Sequence, residues 1–314
     1  MQAAESARAC PTCGGRMYLR RRQGDHAVAE VCECARDCRR CGGSGFVYET
    51  RQETFSVRVG AKSYDVLAPC PCKVLARRVE RFGEAAIPGV LANADFDGYT
   101  PSNEAQDRAK TAAKQFAFSY RKDNPPKGFV LAGPCGTGKT HLLAAVLSQL
   151  VLEGGVQAKY VEISLLYATI RRGFQEGKSG GEIIGPLSEV EVLAIDELGK
   201  GRGSPFEMET LDELIARRYN AGRTTLFASN YSLEPARKAV KTAGGYTRSE
   251  DLKGQAKDSD LLRDRVGERI YSRLCEMSEF IELPGNTPDH RRTRQEMDPR
   301  GAPRAHASGR RPPG

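Results

Sequence analysis

The sequence predicts an α/β protein in which a doubly wound parallel sheet follows a small β-rich domain. Two observations lead to this fold class. Eight of the ten cysteines lie before residue 73, among alternating, β-prone stretches. From residue 128 onward, short apolar segments alternate with helical ones, which is typical of a parallel sheet with helices on both faces. The 314 residues, of which 39% are hydrophobic, are enough for one large or two small domains.

The elements of the sheet domain follow in chain order. The predicted strands are 128–133, 158–163, 191–196, 224–230 and 280–284. The predicted helices are 73–84, 103–121, 140–154, 164–174, 207–221 and 261–277. The expected domains are a cysteine-rich domain at 1–84, a linker at 85–102, the sheet domain at 103–285 and a basic, disordered tail at 286–314.

The cysteines form an internal repeat. Residues 10–34 and 38–72 each open with C-x-x-C-G-G and close with C-x-C. Clustered cysteines in a reduced compartment indicate metal binding rather than disulfides, and four thiolates complete a tetrahedral Zn²⁺ site. We therefore predict a zinc-binding domain with two ions, in which His26 is a loop residue. The expected ligands are Cys10, Cys13, Cys32 and Cys34 for one ion, and Cys38, Cys41, Cys70 and Cys72 for the other. The repeat, which has the construction of a zinc ribbon, also resembles the cysteine elements of DnaJ-type co-chaperones. That resemblance implies the alternative, in which pairing crosses between the motifs.

The formal net charge of +8 is unevenly distributed. Residues 1–84 carry 15 Lys or Arg against 10 Asp or Glu, and residues 286–314 carry 7 against 3. Zinc-bound thiolates would remove most of the N-terminal excess, so the charge does not predict a basic DNA-binding face on the folded domains. Arg20, Arg21 and Arg22 either contact phosphates or face solvent. No apolar run reaches the ~18 residues of a membrane span, and the N-terminus lacks a signal-peptide core, so we expect a cytoplasmic protein without a membrane partner.

A glycine-rich segment joins the first strand of the sheet to the next helix. Residues 133–140 read GPCGTGKT, which satisfies G-x-x-x-x-G-K-[ST] in the strand–loop–helix context of a phosphate-binding loop. Its backbone N–H groups would point at phosphate oxygens, Lys139 would neutralise the β- and γ-phosphates, and the Thr140 hydroxyl would bind Mg²⁺. The residues expected to bind the nucleotide, ATP, are Gly133, Pro134, Cys135, Gly136, Thr137, Gly138, Lys139, Thr140 and His141.

Polar residues end two further predicted strands. Asp196 and Glu197 follow an apolar strand, and ligands of such sheets bind at this edge. Asp196 would hold Mg²⁺ and Glu197 would polarise the attacking water, whereas the simpler interpretation is a pair of helix-capping acids. Asn230 would contact the γ-phosphate or orient the water, although an asparagine at a strand end is also ordinary turn chemistry.

The predicted helix 261–277 has an apolar face and a basic one. Four apolar residues at four-residue steps predict the core face: Leu262, Val266, Ile270 and Leu274. Arg265, Arg269 and Arg273 form a second series at the same spacing. A solvated basic face is the usual meaning of such a series. The alternative is an arginine finger that reaches the γ-phosphate held by a neighbouring subunit.

Taken together, GPCGTGKTH, VLAIDELG, LFASN and GERIYSRL resemble, in order and spacing, the AAA+ ATPases of the DnaC/IstB type. These include bacterial helicase loaders and the ATPase helpers of insertion-sequence transposases. The resemblance covers residues 88–291, with an insertion at 236–260 relative to most members. It implies that Arg273 is the finger with Arg269 as its substitute, that Phe96 and Tyr99 lie near the adenine, and that Arg291 contacts nucleotide.

The resemblance implies an ATPase that assembles with copies of itself on single-stranded DNA, in an ATP-dependent way. Its zinc module would recruit a replicative helicase of the DnaB type, and hydrolysis would be slow and stimulated by DNA or the partner. A second hypothesis is a transposition regulator that binds duplex DNA and delivers it to a transposase. A third is a zinc-dependent adaptor or chaperone with a vestigial ATPase, which the intact Lys139, Thr140, Asp196 and Glu197 argue against.

Overall fold

Two antiparallel hairpins open the part of the chain that the computed structural model describes, which comprises residues 10–36, 38, 40–54, 61–233, 239–241, 247–249 and 261–289. The first hairpin pairs β1 (Tyr18–Gln23) with β2 (His26–Val31) and is followed by the short helix α1 (Glu33–Arg36). The second pairs β3 (Phe46–Thr54) with β4 (Ala61–Pro69). The predicted tail beyond residue 289, including Arg291, and most of the insertion lie outside the described residues.

Two helices connect the hairpins to the sheet. Helix α2 (Pro71–Glu84) begins with a proline, whose missing N–H and fixed φ suit the first turn. Helix α3 (Glu104–Ser119) is capped by Asn103, whose side chain accepts a hydrogen bond from Gln106 N at 2.9 Å. Both helices bury one face, with Phe82 and Ala109 fully enclosed.

A five-stranded parallel sheet forms the body, and its bounds are close to those predicted. The strands are β5 (Gly128–Ala132), β6 (Ala158–Glu162), β7 (Val192–Asp196), β8 (Thr224–Ser229) and β11 (Ser278–Glu282), in the spatial order β11-β5-β8-β7-β6. Two short strands, β9 (Ala239–Lys241) and β10 (Thr247–Ser249), pair with each other. This arrangement confirms the predicted α/β class with a parallel sheet.

The remaining helices cover the two faces of the sheet. They are α4 (Lys139–Leu152), α5 (Ile163–Gln175), α6 (Gly180–Glu189), α7 (Pro205–Asn220), α8 (Leu262–Val266) and α9 (Glu268–Met277). Alternate strand residues enter two separate hydrophobic cores. Leu131 belongs to the core that includes residues of α2, α3, α4 and the first hairpin, whereas Val130 belongs to the core that includes residues of α5 to α9. No helix among the described residues is both long and apolar enough to cross a membrane.

The prediction of a single helix at 261–277 is wrong, because the helix is interrupted at Gly267. Gly267 has φ 80° and ψ 155°, a conformation that glycine adopts without steric cost. The break places Arg265 on α8, and Arg269 and Arg273 on α9. The three arginines therefore do not form one continuous helical face.

A fully buried arginine ties α6 and α7 to the start of β8. Arg218 has no exposed surface and donates to Leu187 O at 2.8 Å, Val190 O at 3.0 Å and Thr224 O at 2.5 Å. Its Nε donates to Thr225 Oγ1 at 2.8 Å. Burial lowers the pKa of the guanidinium to about 9, so it remains charged near neutrality. A cation at the last carbonyls of a helix is also favoured by the helix dipole.

Candidate nucleotide-binding and metal-binding sites

The phosphate-binding loop lies where predicted, between β5 and α4. Gly138 is the N-cap residue of α4, with φ 90°. A Cβ atom at this position would overlap the Tyr99 ring, so both the backbone conformation and the space require glycine. At the start of the loop, Gly133 N donates to Ser229 O at 3.1 Å, which joins the loop to the end of β8.

The Lys139 side chain folds back from the start of α4, and its ammonium group lies against the loop carbonyls. Lys139 is 5% exposed, and its Nζ donates to Gly133 O at 2.8 Å and to Pro134 O at 2.6 Å. Thr137 Oγ1 donates to Pro134 O at 3.0 Å. Thr140 follows in the first turn of α4, half-buried, and Cys135 is exposed on the loop. A buried ammonium held beside the loop carbonyls can exchange these partners for phosphate oxygens.

The predicted acidic pair stands at the carboxyl end of β7. Asp196 is 4% exposed; its Oδ1 accepts from Glu197 N at 2.8 Å and its Oδ2 from the Tyr160 hydroxyl at 2.7 Å. Burial, together with the Asp196 charge, raises the pKa of Tyr160. Glu197 has φ 57°, a left-handed conformation that is uncommon for a residue with a side chain and is concentrated at functional sites. A buried carboxylate oxygen beside a strained, half-buried carboxylate suits a Mg²⁺ ligand next to a base.

Sequence reasoning missed two residues that surround Glu197. Lys200 forms ion pairs with Glu197 and with Glu162, the latter at 3.6 Å. Glu162 ends β6 and is the register partner of Asp196. Burial raises the pKa of Glu197, and the neighbouring Glu162 raises it further against the opposing effect of Lys200. The pair of Lys200 with Glu162 could not be read from the motifs, because Glu162 comes from a different strand.

Asn230 is exposed directly after β8. Because β8 lies between β5 and β7, its carboxyl end falls between the phosphate-binding loop and the acidic pair. Ser229 Oγ donates to Leu198 O at 2.8 Å, which joins the same end of β8 to the chain after Glu197. The three predicted motifs therefore meet at one edge of the sheet.

The two aromatic residues expected near the adenine differ in their surroundings. The Tyr99 hydroxyl donates to Thr137 O at 2.9 Å, and its ring centroid lies 5.7 Å from that of His141. Phe96 is 6% exposed and packs against Phe118, with ring centroids 6.3 Å apart. Tyr99 thus touches the phosphate-binding loop, whereas Phe96 belongs to the packing behind it.

The three arginines of the 261–277 region have separate partners. Arg265 donates to Gly199 O at 3.1 Å and Gly201 O at 2.8 Å, which fastens the loop after Glu197. On α9, Arg273 and Arg269 both pair with Asp212 of α7, at 2.5 Å and 3.6 Å. The Arg269 side chain is 75% exposed and that of Arg273 only 20%. Within one subunit, Asp212 therefore holds both candidate fingers.

The chain that follows β11 crosses the phosphate-binding loop. Leu283 N donates to Ala132 O at 2.7 Å, and a Cβ atom at Gly133 would overlap Leu283 O. Further along, the Asp289 carboxylate lies so close to Gly136 that a Cβ atom at Gly136 would overlap it. This acidic neighbour of the loop was not anticipated from the sequence.

The eight N-terminal cysteines form two groups of four. Each group comes from a single repeat, as in the predicted ligand sets, and pairing does not cross between the repeats. In each, the four Sγ atoms lie within 4.8 Å of one another; the groups are Cys10, Cys13, Cys32 and Cys34, and Cys38, Cys41, Cys70 and Cys72. Two Sγ–Sγ distances in each group, those of Cys10–Cys32, Cys13–Cys34, Cys38–Cys70 and Cys41–Cys72, run from 3.5 to 3.9 Å. Sulfur atoms ~2.3 Å from a tetrahedral Zn²⁺ would be separated by about 3.8 Å, so the residues present fit zinc.

The two C-x-x-C-G-G turns share one backbone conformation. Positive φ values occur one, two and four residues after the second cysteine in both, at Gly14, Gly15 and Met17 and again at Gly42, Gly43 and Gly45. This conformation directs Met17 N to Cys13 Sγ and Gly45 N to Cys41 Sγ, each at 3.4 Å. Backbone N–H groups lower the pKa of Cys41 to about 6, whereas burial raises that of Cys72 to about 12. A bound cation would allow all four thiols to ionise together.

Comparison with known proteins identifies the relatives of this chain. The replicative helicase loader DnaC of Escherichia coli (strain K12) is 28% identical over 167 residues, which cover 52% of this chain and 67% of DnaC. The uncharacterized protein YdaV of the same strain is 30% identical over 169 residues, which cover 54% of this chain and 65% of YdaV. A crystal structure of the DnaC helicase loader matches with a TM-score of 0.50 and 27% identity, over 62% of this chain and 99% of that one.

A model of the IstB-like ATP binding proteins matches residues 75–242, which is more than half of the chain. The match contains the phosphate-binding loop, the acidic pair and Asn230. Its α/β fold is that of the AAA+ ATP-binding domains, in agreement with the resemblance drawn from the motifs. The chain belongs to the family of IstB-like, DnaC-related ATP binding proteins.

Proposed function

We propose that this protein binds and hydrolyses ATP and acts on DNA in replication as a helicase loader. One observation carries the proposal: the same edge of the sheet bears Lys139, the Asp196–Glu197 pair and Asn230. The similarity to DnaC over its ATPase region supports the choice of helicase loading.

Each side chain has a role in this proposal. Lys139 would exchange its loop carbonyls for the β- and γ-phosphate oxygens, and Thr140 and Asp196 would hold Mg²⁺. When bound, the metal draws charge from the phosphates. Asn230 orients the attacking water and Glu197 accepts its proton. The water oxygen attacks the γ-phosphorus in line, the bond from the γ-phosphorus to the bridging oxygen breaks, and ADP and inorganic phosphate are released. Tyr99 and His141 pack beside the loop and Phe96 supports them near the adenine.

Self-assembly completes the site in this proposal. Arg273, or Arg269 in its place, leaves Asp212 and contacts the γ-phosphate bound by the neighbouring subunit, where it stabilises charge in the transition state. In the single subunit the Arg269 side chain is 75% exposed and that of Arg273 20% exposed, so Arg273 must leave Asp212 before it can reach a neighbour. ATP thus joins the subunits and hydrolysis releases them.

The N-terminal hairpins supply zinc binding and the docking surface for a helicase of the DnaB type. Both cysteine quartets fit Zn²⁺ by their sulfur spacing, and such closed sites are structural. On one face of the second hairpin, Tyr48 and Leu67 are direct cross-strand partners and are 77% and 59% exposed. Exposed aromatic and aliphatic side chains on a small rigid hairpin are suited to protein contact.

A reconstituted loading reaction tests the proposal. The wild-type protein should transfer a DnaB-type hexameric helicase onto single-stranded DNA in the presence of ATP and Mg²⁺. Lys139→Ala should fail, because it cannot bind nucleotide. The double variant Tyr48→Ser/Leu67→Ser should retain ATP hydrolysis but lose helicase capture. Transfer that proceeds equally well with Lys139→Ala would refute an ATP-dependent loader.

A transposase helper is the alternative, and the match to the IstB-like family model favours it. The two functions share the ATPase chemistry and differ in DNA and partner. A helper would bind duplex DNA and a transposase, whereas a loader would bind single-stranded DNA and the helicase. A pulldown with the full chain, in which both candidate partners compete, separates them.

A further inference from the structure

The first hairpin is joined to the ATPase body by backbone hydrogen bonds. Ala27 N donates to Ile87 O at 2.8 Å, and Gly89 N donates to Asp25 O at 2.7 Å. The Tyr18 hydroxyl donates to Glu153 Oε1, at the end of α4, at 2.8 Å. Tyr18 and Ala27 also belong to the same hydrophobic core as Leu131 of the sheet. The first hairpin is therefore built into the packing around α4, the helix that carries Lys139.

Arg20 on β1 is enclosed at this junction. Its side chain is 6% exposed, although it is a charged residue on a short hairpin. One nitrogen contacts Asp95 Oδ2 at 2.9 Å and the other donates to Ala94 O at 2.8 Å. A buried guanidinium is stable only when its donors are satisfied, and this fork meets a carboxylate and a carbonyl on one segment. Arg20 is thus neither a solvated residue nor a DNA contact.

The segment that Arg20 holds touches the phosphate-binding loop and the first turn of α4, which follows it. Asp95 O lies 2.8 Å from His141 Nε2, directly after Thr140. Asp95 Oδ1 accepts from Gly98 N at 2.8 Å, which forms the turn that leads into Tyr99. Tyr99 in turn donates to Thr137 O in the loop. A continuous chain of polar contacts leads from the first hairpin to Thr137 in the phosphate-binding loop and to His141 just after it.

We propose that Arg20 is a positioning residue for the nucleotide pocket: it fastens residues 93–99 so that Tyr99 and His141 are held against the phosphate-binding loop. The first cysteine hairpin is then part of the nucleotide-binding unit. The second hairpin, with Tyr48 and Leu67 exposed, is left for a partner. This inference rests on the proposed nucleotide site. It assigns the first cysteine hairpin to nucleotide binding and the second to contact with a partner protein.

Nucleotide affinity of the full, zinc-loaded chain tests the inference. Arg20→Ala should raise the Kd for ADP about tenfold, and should raise the KM for ATP while kcat stays unchanged, because the reacting groups are not displaced. Arg20→Lys should restore part of the affinity, since a single ammonium nitrogen replaces the two guanidinium nitrogens that reach Asp95 and Ala94 separately. Arg21→Ala is the matched control: Arg21 is the next residue on β1, 57% exposed and paired with Glu30, and its loss should leave Kd unchanged.

The outcomes separate this inference from the proposed function. An unchanged Kd in folded Arg20→Ala, or an equal rise in Arg21→Ala, would overturn the inference. If Arg20→Ala does not fold, Asp95→Asn carries the test: it should raise Kd several-fold, and wild-type affinity would again overturn the role of the pair. Lys139→Ala should abolish ADP binding in every case; if it does not, the proposed nucleotide site itself is wrong.

Discussion

Removal of the Arg218 guanidinium should lower the free energy of unfolding more than most single substitutions, and its hydrogen bonds allow the loss to be estimated. Arg218→Met keeps the apolar stem but leaves the carbonyl oxygens of Leu187, Val190 and Thr224 buried without their donor. Each lost partner of a buried polar group costs ~1–3 kcal/mol, and relief from burying the cation offsets part of the sum. We expect a loss of about 4 kcal/mol in the free energy of unfolding.

The neighbouring Arg217 provides the control for this measurement. It is exposed and pairs with Glu213 one helical turn away, at 2.6 Å, so Arg217→Met should cost no more than about 0.5 kcal/mol. Urea unfolding followed by far-ultraviolet circular dichroism measures both variants under identical conditions. A cost below about 1 kcal/mol for Arg218→Met, or equal costs for the two variants, would contradict the account of Arg218 as the link between α6 and β8.

Three further predictions concern catalysis and assembly. Glu162→Gln removes a negative charge that raises the pKa of Glu197, so the acid limb of the kcat/KM profile for ATP should move to lower pH; a shift to higher pH would contradict this. Arg273→Ala should preserve the nucleotide affinity of the monomer but abolish stimulation of hydrolysis on assembly, and normal stimulated turnover would refute its role as the finger. Arg265→Ala frees the loop at 199–201, so kcat should fall about tenfold with KM unchanged; a change confined to KM would argue against it.

The motifs that could be predicted from sequence are those in which the functional groups lie close together along the chain. The phosphate-binding loop is such a motif, because its glycines and Lys139 act through local backbone geometry. The cysteine quartets were predictable because each combines two close pairs within one hairpin. Gly267 is a helix-breaking residue that is visible in the sequence. Giving it weight would predict two helices, one on each side of it, instead of the single helix 261–277.

The features that escaped prediction join residues distant in sequence. The ion pairs of Lys200 with Glu162 depend on the order of strands in the sheet, which no single segment carries. The Arg20–Asp95 pair depends on how the first hairpin packs against the body, and three consecutive arginines give no indication of which one is buried. The carboxylate of Asp289 approaches Gly136 only because β11 lies beside β5.

The measurement that tests the central proposal most directly is ATP turnover by the purified chain and two variants. The wild type should release phosphate slowly in the presence of Mg²⁺. Glu197→Gln should bind ATP with wild-type affinity and release no phosphate, because the water loses its base, and Lys139→Ala should not bind ATP. Hydrolysis at the wild-type rate by Glu197→Gln, or ATP binding by Lys139→Ala, would contradict the proposed site.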